Sequence, residues 1–284
     1  MRTRFAPSPT GPLHLGHAFS AIIAHDFARN LGGEFIVRIE DLDQSRVRPH
    51  WEAQIFDDLA WLGLTWEPHV MRQSDRSLAY SAALDTLWAK SLIFPCGCNR
   101  RDVMAAAIAP QEGDIPPMGP DGVIYPGTCR SEAMGPRPEG KTLRLNMASA
   151  STDHGKSLQF SFKEISPDNE NKVRSFNSQH AIQSIGDVVV SRRDMIAAYH
   201  LAVVVDDAAQ DITHVVRGND LHDATDIHVV LQHCLNLPTP IYFHHKLVRD
   251  ENGKRLAKRD NSKAISKFRS EGATPEDIRR MVGL

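Results

Sequence analysis

Two histidines near the N-terminus stand where a phosphate could be held. His14 and His17 enclose Leu15 and Gly16, directly after a proline-rich turn at 7–12. A helical run starts here, and the exposed N–H groups and dipole of a helix N-terminus favour an anion. Imidazoles add hydrogen bonds or positive charge as negative charge builds on a phosphate. The bare pattern is usually structural, but its place between a strand and a helix predicts a phosphate site.

A basic loop near the C-terminus is the second candidate. Arg255-Leu-Ala-Lys-Arg259 follows the turn signal at 252–253. A lysine close to a triphosphate neutralises charge as pyrophosphate leaves. Taken alone, this loop predicts only a basic surface turn. Two interpretations stay open for the cations between Lys254 and Arg269: a local basic face for nucleic acid, or a solvated surface. We therefore predict a role for Lys258 only in combination with the two histidines.

Three cysteines form a candidate metal site. Cys96, Cys98 and Cys129, with one further donor, make a plausible tetrahedral zinc site. The Cys-x-Cys spacing is tight for zinc, and three unrelated reduced thiols are the alternative. Cys234 lies in an apolar helical pattern and is expected to be a buried small hydrophobe. A metal here would be structural, since it would hold a loop-rich segment that lacks a good core.

The order of the strands and helices that must position these residues predicts an α/β fold. A strand at 3–6, a helix at 16–31 and a strand at 35–39 predict a βαβ unit with a parallel sheet. Helices at 51–62 and 78–90 follow. Beyond residue 176 we predict strands at 187–191, 201–206 and 212–217, a helix at 223–235, an extended segment at 241–248 and a short helix at 275–281.

The middle of the chain has a different texture. Residues 109–140 are rich in proline and glycine, and only short strands are predicted, at 142–147 and 157–162. We therefore predict an insertion that interrupts the sheet. The predicted domains are 1–95 together with 177–248, the inserted subdomain 96–176, and a C-terminal extension 249–284.

Composition sets wide limits on function. The 284 residues are 41% hydrophobic and 24% charged, with a net charge of −2, which is ordinary for a soluble globular protein. No apolar run approaches the ~20 residues of a membrane span, and no signal core precedes residue 7. We expect a cytoplasmic monomer that makes no membrane contact. The net charge alone does not indicate nucleic-acid binding.

The motifs resemble those of one enzyme family. Residues 4–17, Arg-Phe-Ala-Pro-Ser-Pro-Thr-Gly-Pro-Leu-His-Leu-Gly-His, resemble the HIGH motif of the glutamyl/glutaminyl branch of class I aminoacyl-tRNA synthetases. The loop 255–259 resembles their KMSKS motif but departs from it at Arg255 and Ala257. The resemblance implies a Rossmann-like catalytic domain that uses ATP with Mg²⁺. It places His14, Gly16, His17 and Lys258 at the ATP, with the histidines and Lys258 catalytic.

The same resemblance implies a glutamate site. Its residues fall in segments similar to the family's: Arg4, Ser8, Glu40, Tyr199 and Arg217. Arginines grip carboxylates bidentately, Glu40 suits the substrate ammonium, and Tyr199 suits the side-chain end. Open α/β sheets bind ligands at the carboxyl ends of strands. There are two simpler alternatives: Arg4 and Glu40 pair with each other, or these residues are ordinary charges at the ends of strands.

A shortened branch of the family, the glutamyl-queuosine tRNA(Asp) synthetases, is most similar. It implies that Tyr125 joins Cys96, Cys98 and Cys129 as a zinc ligand. It also implies transfer of activated L-glutamate to queuosine in the anticodon loop of tRNA(Asp). Only about 25 residues follow Arg259, so we expect no anticodon-binding domain. Two alternatives remain: a truncated synthetase that charges a tRNA 3′ end, and a non-catalytic tRNA-binding paralogue.

Overall fold

A parallel strand–helix–strand unit opens the fold, as predicted. The computed structural model describes residues 1–108, 115–130, 135–166, 170–248 and 263–284. It places β1 at Arg2–Phe5, α1 at Leu15–Asn30 and β2 at Glu34–Ile39. The two strands pair in parallel, and Ile22 of α1 shares a buried core with Phe35 of β2. The strand ends and the start of α1 therefore meet at one edge of the sheet.

The other strands and helices follow along the described chain. The strands are β3 (Met71–Arg72), β4 (Ile93–Cys96), β5 (Met118–Gly119), β6 (Gly122–Val123), β7 (Thr142–Leu145), β8 (Thr152–Asp153), β9 (Lys156–Ser157), β10 (Gln159–Ile165), β11 (Asn171–Asn177), β12 (Val189–Ser191), β13 (His214–Gly218) and β14 (Ile241–His245). The helices are α2 (Pro49–Trp61), α3 (Ser77–Ala89), α4 (Arg100–Ile108), α5 (Met147–Ala150), α6 (Ser178–His180), α7 (Tyr199–Ala209), α8 (Ala224–Leu235), α9 (Ile265–Ser270) and α10 (Pro275–Val282).

Parallel pairing dominates the sheets that carry the site. β1, β2 and β3 form one parallel sheet, and β13, β14 and β10 form a second, to which β11 adds an antiparallel edge. The two sheets meet where the Thr213 N–H donates to the Arg2 carbonyl at 3.1 Å. The predicted α/β fold is confirmed, and the carboxyl ends of β1, β2 and β13 share one edge.

Strands pair across both predicted boundaries of the insertion. β4 and β12 flank β7 in an antiparallel sheet, so the predicted strand at 187–191 joins the inserted segment rather than the main sheet. β10, from inside that segment, pairs in parallel with β14. The domain limits at 96 and 176 stay a prediction, and the hydrogen bonding links the segments on either side of them.

One predicted strand was wrong. Residues 201–206 belong to α7, which runs from Tyr199 to Ala209. Its valines favour a strand, but the helix is buried on nearly every side, including Leu201, Val203 and Val204. A helix that is buried all round shows no 3.6-residue alternation, so a short apolar run cannot be distinguished from a buried strand.

The helices were compared with the length and hydropathy that a membrane-spanning helix needs. Across the described ranges, none combines the length and the apolar character that crossing a bilayer requires.

Candidate active site

Eight of the predicted site residues line one cleft of about 580 Å³. It opens at the shared edge where β1, β2 and β13 end, beside the start of α1. The eight are Arg4, Ser8, His14, Gly16, His17, Glu40, Tyr199 and Arg217. Lys258 lies outside the described residues. Residues spread over more than two hundred positions of sequence are therefore brought to one concave surface.

The proline-rich turn is fixed against the end of β2. The Glu40 N–H donates to the Pro7 carbonyl at 3.0 Å, and the Arg48 N–H donates to the Pro9 carbonyl at 3.1 Å. Ser8, between them, is exposed at the cleft. These backbone bonds hold the turn that leads into α1.

His14 and His17 cap α1 with their own side chains. His14 Nδ1 accepts the Gly16 N–H at 3.1 Å, and His17 Nδ1 accepts the His14 N–H at 3.3 Å. The two rings stack with centroids 3.8 Å apart. Because each Nδ1 is an acceptor, the proton of each neutral ring lies on Nε2. The caps thus fix both rings beside the helix N-terminus, where an anion is favoured.

The C-terminal segment packs on this helix start. Ala264 forms an antiparallel bridge with His14, and the Ile265 N–H donates to the Leu13 carbonyl at 2.9 Å. Val248, which directly precedes residues 249–262 in the sequence, also lines the cleft. Sequence reasoning missed His245, whose Nε2 lies 2.9 Å from Ser20 Oγ at the same wall.

Arg4 is neutralised by a carboxylate that the sequence did not reveal. Its Nε and Nη2 contact the two oxygens of Asp207 at 3.0 and 3.2 Å, and both side chains are buried. Burial alone would raise the pKa of Asp207, but Arg4 and Arg38 outweigh it and lower that pKa. The alternative in which Arg4 pairs with Glu40 is therefore wrong, since Asp207 takes that place.

Glu40 is held by the fully buried Arg38. Arg38 Nη2 donates to Glu40 Oε1 at 3.2 Å, and its Nη1 donates to Asp207 Oδ1 at 2.6 Å. Burial raises the pKa of Glu40, and the charges of Arg38 and Arg4 offset this only in part. Glu40 is thus a carboxylate at the cleft that gains from a positive ligand group. Arg38 was visible in sequence only as one charged residue in an apolar strand.

Arg217 is buried among neutral groups. Its Nη2 donates to Thr225 Oγ1 at 2.6 Å, its Nη1 to His228 Nδ1 at 3.1 Å, and its Nε to His244 Nε2 at 3.3 Å. Among the described residues, none of the hydrogen-bond partners of Arg217 is acidic, and no carboxylate forms an ion pair with it. Burial, with the Arg217 charge second, lowers the pKa of His244 to about 4 and keeps the pKa of His228 well below its usual value. Within the described residues, no carboxylate therefore forms a hydrogen bond or an ion pair with the Arg217 guanidinium.

Tyr199 begins α7 at the mouth of the cleft. Its side chain is 38% exposed, and its ring packs edge-on against His200 and His228. Tyr199 lines the cleft together with Arg217 and Glu40. Of the predicted glutamate-site residues, Glu40 thus presents a carboxylate to the cleft, Tyr199 a phenol, and Arg217 a guanidinium that has no acidic hydrogen-bond partner among the described residues.

The thiols of Cys96, Cys98 and Cys129 converge in the inserted segment. Their sulfurs lie within 4.8 Å of one another, and those of Cys98 and Cys129 are 3.4 Å apart. The buried Tyr125 places its hydroxyl 3.5 Å from the sulfurs of Cys96 and Cys98. Tetrahedral zinc with Zn–S bonds of about 2.3 Å needs sulfurs about 4 Å apart, so this donor set fits the metal.

Electrostatics favour the anionic ligand form at Cys129 but not at Cys98, where a hydrogen bond from Tyr125 lowers the pKa but burial and the contact with Cys129 outweigh it and raise the pKa. Hydrogen bonding from Tyr125 is the main cause that lowers the pKa of Cys129 to about 7. Arg144 Nε donates to Cys96 Sγ at 3.3 Å, and its guanidinium lies 4.1 Å from the centre of the Tyr125 ring. Thiolates are the form that binds metal, and a neighbouring cation stabilises them.

Family comparison places the chain among class I tRNA synthetases. The family described as "tRNA synthetases class I (E and Q), catalytic domain" matches residues 1–284. The glutamyl-Q tRNA(Asp) synthetase of Rhodobacter capsulatus is 55% identical over 288 residues, covering all of both chains. The protein of the same name from Geobacter sulfurreducens is 39% identical over 264 residues, covering 93% of this chain and 77% of that protein.

Solved structures agree with this family. A glutamate tRNA ligase from Elizabethkingia meningosepticum, in complex with its amino acid, is similar with a TM-score of 0.77 and 25% identity. The alignment covers 100% of this chain and 60% of that one, so the chain spans less than two thirds of the ligase. A putative arginyl tRNA synthetase from Campylobacter jejuni, 12% identical with a TM-score of 0.54, shares the fold.

Proposed function

The chain belongs to the glutamyl-Q tRNA(Asp) synthetases, within the class I tRNA synthetases for E and Q, and we propose that it activates L-glutamate with ATP and transfers it to queuosine in tRNA(Asp). It carries the catalytic domain of a ligase-type enzyme. The observation that carries the proposed chemistry is the single cleft lined by the eight residues named above.

The first step is formation of glutamyl-adenylate. An oxygen of the glutamate α-carboxylate attacks the α-phosphorus of ATP in line, the bond from that phosphorus to the bridging oxygen breaks, and pyrophosphate leaves. His14 and His17 would stabilise the charge on the phosphate oxygens from the N-terminus of α1. Lys258 and Mg²⁺ would neutralise the departing pyrophosphate.

Glutamate recognition follows from the charges in the cleft. Arg217, which lacks an acidic partner among the described residues, would bind a substrate carboxylate. Glu40 would pair with the substrate ammonium, and the positive charge would in turn favour ionised Glu40. Tyr199 and Ser8 would add hydrogen bonds, while Arg4, already paired with Asp207, would supply a further positive field.

The second step passes the acyl group to the tRNA. A hydroxyl of queuosine attacks the carbonyl carbon of the adenylate, the bond from that carbon to the phosphate oxygen breaks, and AMP leaves. The name shared by the curated relatives supports this acceptor. Glutamate tRNA ligases among the solved structures favour the other candidate, transfer to a tRNA 3′ end. An anticodon loop can present an unstacked base to such a cleft.

The thiol cluster would hold one structural zinc ion. Cys96, Cys98 and Cys129 would be ligands as thiolates, with Tyr125 as the fourth donor. A metal bound there would fix the inserted segment and would leave no open position for chemistry. Metal analysis of the purified protein should give about one zinc per chain, and Cys129→Ser should lower that ratio and the melting temperature. A metal-free wild type with unchanged stability would contradict this assignment.

Glutamate-dependent exchange between ATP and labelled pyrophosphate tests the activation step. It is run without tRNA, with aspartate and glutamine as matched substrates. We expect exchange with glutamate alone, and we expect His17→Ala to lower its rate by about 10²–10³, the usual effect of losing one transition-state donor. Absence of exchange in the wild type would favour the non-catalytic paralogue.

The acceptor is tested with a tRNA that lacks its 3′ adenosine. Labelled glutamate should load onto queuosine-containing tRNA(Asp) prepared in this way, and the same tRNA without queuosine is the control. Loading only when the 3′ adenosine is present would favour 3′-end charging.

A further inference from the structure

The guanidinium of Arg217 is oriented by three neutral acceptors. A guanidinium has five N–H donors and cannot accept a hydrogen bond. Thr225, His228 and His244 take three of the five. Two donors and the whole positive charge are therefore left over by the described residues. Each acceptor can do this only while it offers a lone pair rather than a proton.

The histidine beside Arg217 Nε has its protonation fixed by Glu164. Because Nε2 of His244 accepts from Arg217, the ring proton of the neutral histidine lies on Nδ1. That nitrogen lies 2.8 Å from Glu164 Oε1, at the right distance to donate to it. Arg174 donates to the other oxygen of Glu164 at 2.7 Å. Glu164 is thus a charged acceptor that is balanced by Arg174.

A second chain of hydrogen bonds also runs from Arg217 through histidines to a carboxylate. It passes through His228 and His200. His228 Nδ1 accepts from Arg217, so its proton lies on Nε2, 3.1 Å from His200 Nδ1. Two N–H groups cannot share that contact, so His200 carries its proton on Nε2, which faces Asp121 Oδ1 at 3.4 Å. Both chains of hydrogen bonds therefore begin at Arg217 and end at a carboxylate.

We propose that His244 and His228 are positioning residues for glutamate binding, which hold the Arg217 guanidinium as an uncompensated cation while Glu164 and Asp121 fix their tautomers. The inference rests on the proposed function, since it assigns Arg217 to the substrate carboxylate. A carboxylate placed directly on Arg217 would orient it equally well but would cancel the charge that the substrate needs. Neutral imidazoles supply the orientation without that cancellation.

A metal site at the same residues does not fit the contacts. Donor atoms of Glu164, His222 and His244 lie within 4.8 Å of one another. Ligation through His244 Nδ1 would move the ring proton to Nε2, where it would face the Nε–H of Arg217. Two donors would then oppose each other at 3.3 Å in a buried site. The low pKa of His244, about 4, also agrees with a neutral ring held by hydrogen bonds.

Steady-state exchange kinetics with paired variants test the proposal. His244→Gln keeps an amide acceptor near the position of Nε2, whereas His244→Leu removes it. We expect His244→Leu to raise the KM for glutamate at least about tenfold, as expected for a lost bond to a charged group, and His244→Gln by less than about threefold. The KM for ATP should be unchanged in both. His214→Leu, on the same strand as Arg217, is the control and should leave both constants unchanged.

A tautomer measurement separates this proposal from the proposed function. Nitrogen-15 NMR of the wild type, assigned with His244→Gln and His228→Gln, should show the proton on Nδ1 of His244 and on Nε2 of His228. It needs no activity, so it stands even if the wild type shows no exchange. The proposal is overturned by the opposite tautomers, by equal effects of the Gln and Leu variants in folded protein, or by a parallel rise in the KM for ATP. A His244 signal that shifts on addition of Zn²⁺ would favour the metal site instead.

Discussion

Arg4 and Arg217 line the same cleft and are equally buried, each 5% exposed, but their surroundings are opposite. Arg4 contacts both oxygens of Asp207, which also binds Arg38. Arg217 contacts a hydroxyl and two imidazoles. One guanidinium is part of a balanced internal network, and the other keeps its charge inside the protein.

Under the proposed function the two arginines therefore act differently: Arg4, paired with Asp207, would add a positive field, and Arg217 would bind the substrate carboxylate directly. Removing one member of a buried ion pair leaves an uncompensated charge and is strongly destabilising. A buried cation without an anion is costly from the start, and it gains a partner only when an anionic ligand binds. Variants on the Arg4 side should therefore change stability, and variants on the Arg217 side should change substrate binding.

The largest effect is expected from Asp207→Asn. The change leaves Arg4 and Arg38 without their shared carboxylate, so the free energy of unfolding should fall by about 3–5 kcal/mol. Urea unfolding followed by circular dichroism measures it. Asp211→Asn, at an exposed carboxylate just beyond α7, is the matched control and should change little. A loss below 1 kcal/mol for Asp207→Asn would mean that the network does not hold the fold.

Arg217→Met should lower activity without lowering stability, which is the opposite of the effect expected for Asp207→Asn. Glutamate-dependent exchange should fall by about 10²–10³ in kcat/KM because a charge-assisted contact to the substrate is lost. The melting temperature should stay the same or rise, since an uncompensated buried cation has been removed. A variant that loses stability while keeping its exchange rate would place Arg217 with Arg4 as a structural residue.

As the pH falls, the free energy of unfolding should first decrease because of His244, which contacts Arg217, and only at lower pH because of Asp207, which contacts Arg4. The pKa of His244 is about 4 in the folded chain and about 6.5 in an unfolded one, so between these values the unfolded state binds the extra proton. Stability from this residue is complete above pH 6.5 and is lost as the pH falls towards 4, by on the order of 3 kcal/mol. Asp207, whose pKa is lowered, weakens the fold only below its ordinary value of about 3.8.

Comparing unfolding free energies of wild type and His244→Gln between pH 6.5 and 4.5 isolates this contribution. The wild type should lose stability more steeply than the variant as the pH falls. Parallel curves would show that His244 does not change protonation on unfolding.

The smallest effect is expected at a surface arginine. Arg279 of α10 pairs with Asp26 of α1 at 2.7 Å, with both side chains about one third exposed. Arg279→Met should cost no more than about 1 kcal/mol because solvent screens such pairs. Exchange activity should be unchanged. A larger loss would show that solvent exposure does not make the Arg279–Asp26 pair weaker than the buried pair of Arg4 and Asp207.

The sequence predicted the parts of the site that local order determines. His14, Gly16 and His17 follow a proline-rich turn and start a helix, so their roles as caps depend on neighbours in sequence. Most strand and helix positions were also predictable because apolar periodicity is a local property. These features would be found in any chain with the same short segments.

The partners that distinguish the two arginines could not be predicted. Asp207 lies in α7, where the sequence predicts a strand at 201–206, and its pairing with Arg4 joins residues 203 positions apart. His228 and His244 are ordinary members of an apolar helix and an apolar strand. The one visible signal was Arg38, a charge within a buried strand, which requires a buried anion somewhere in the fold.

The contact between β1 and the residue before β13 has a consequence for synthesis of the protein. Arg2 and Thr213 are 211 positions apart, and their hydrogen bonds fix one side of the first strand. At about 5–20 residues per second, a ribosome needs about 10–40 s to make the intervening chain. During that time the edge of β1 that later contacts Thr213 is unpaired. Arg4 and Arg38 also lack the carboxylate of Asp207, which has not yet been synthesised. Residues 4–17 are therefore made long before the rest of the cleft, and an unpaired strand edge in the nascent chain is a template for pairing with another chain.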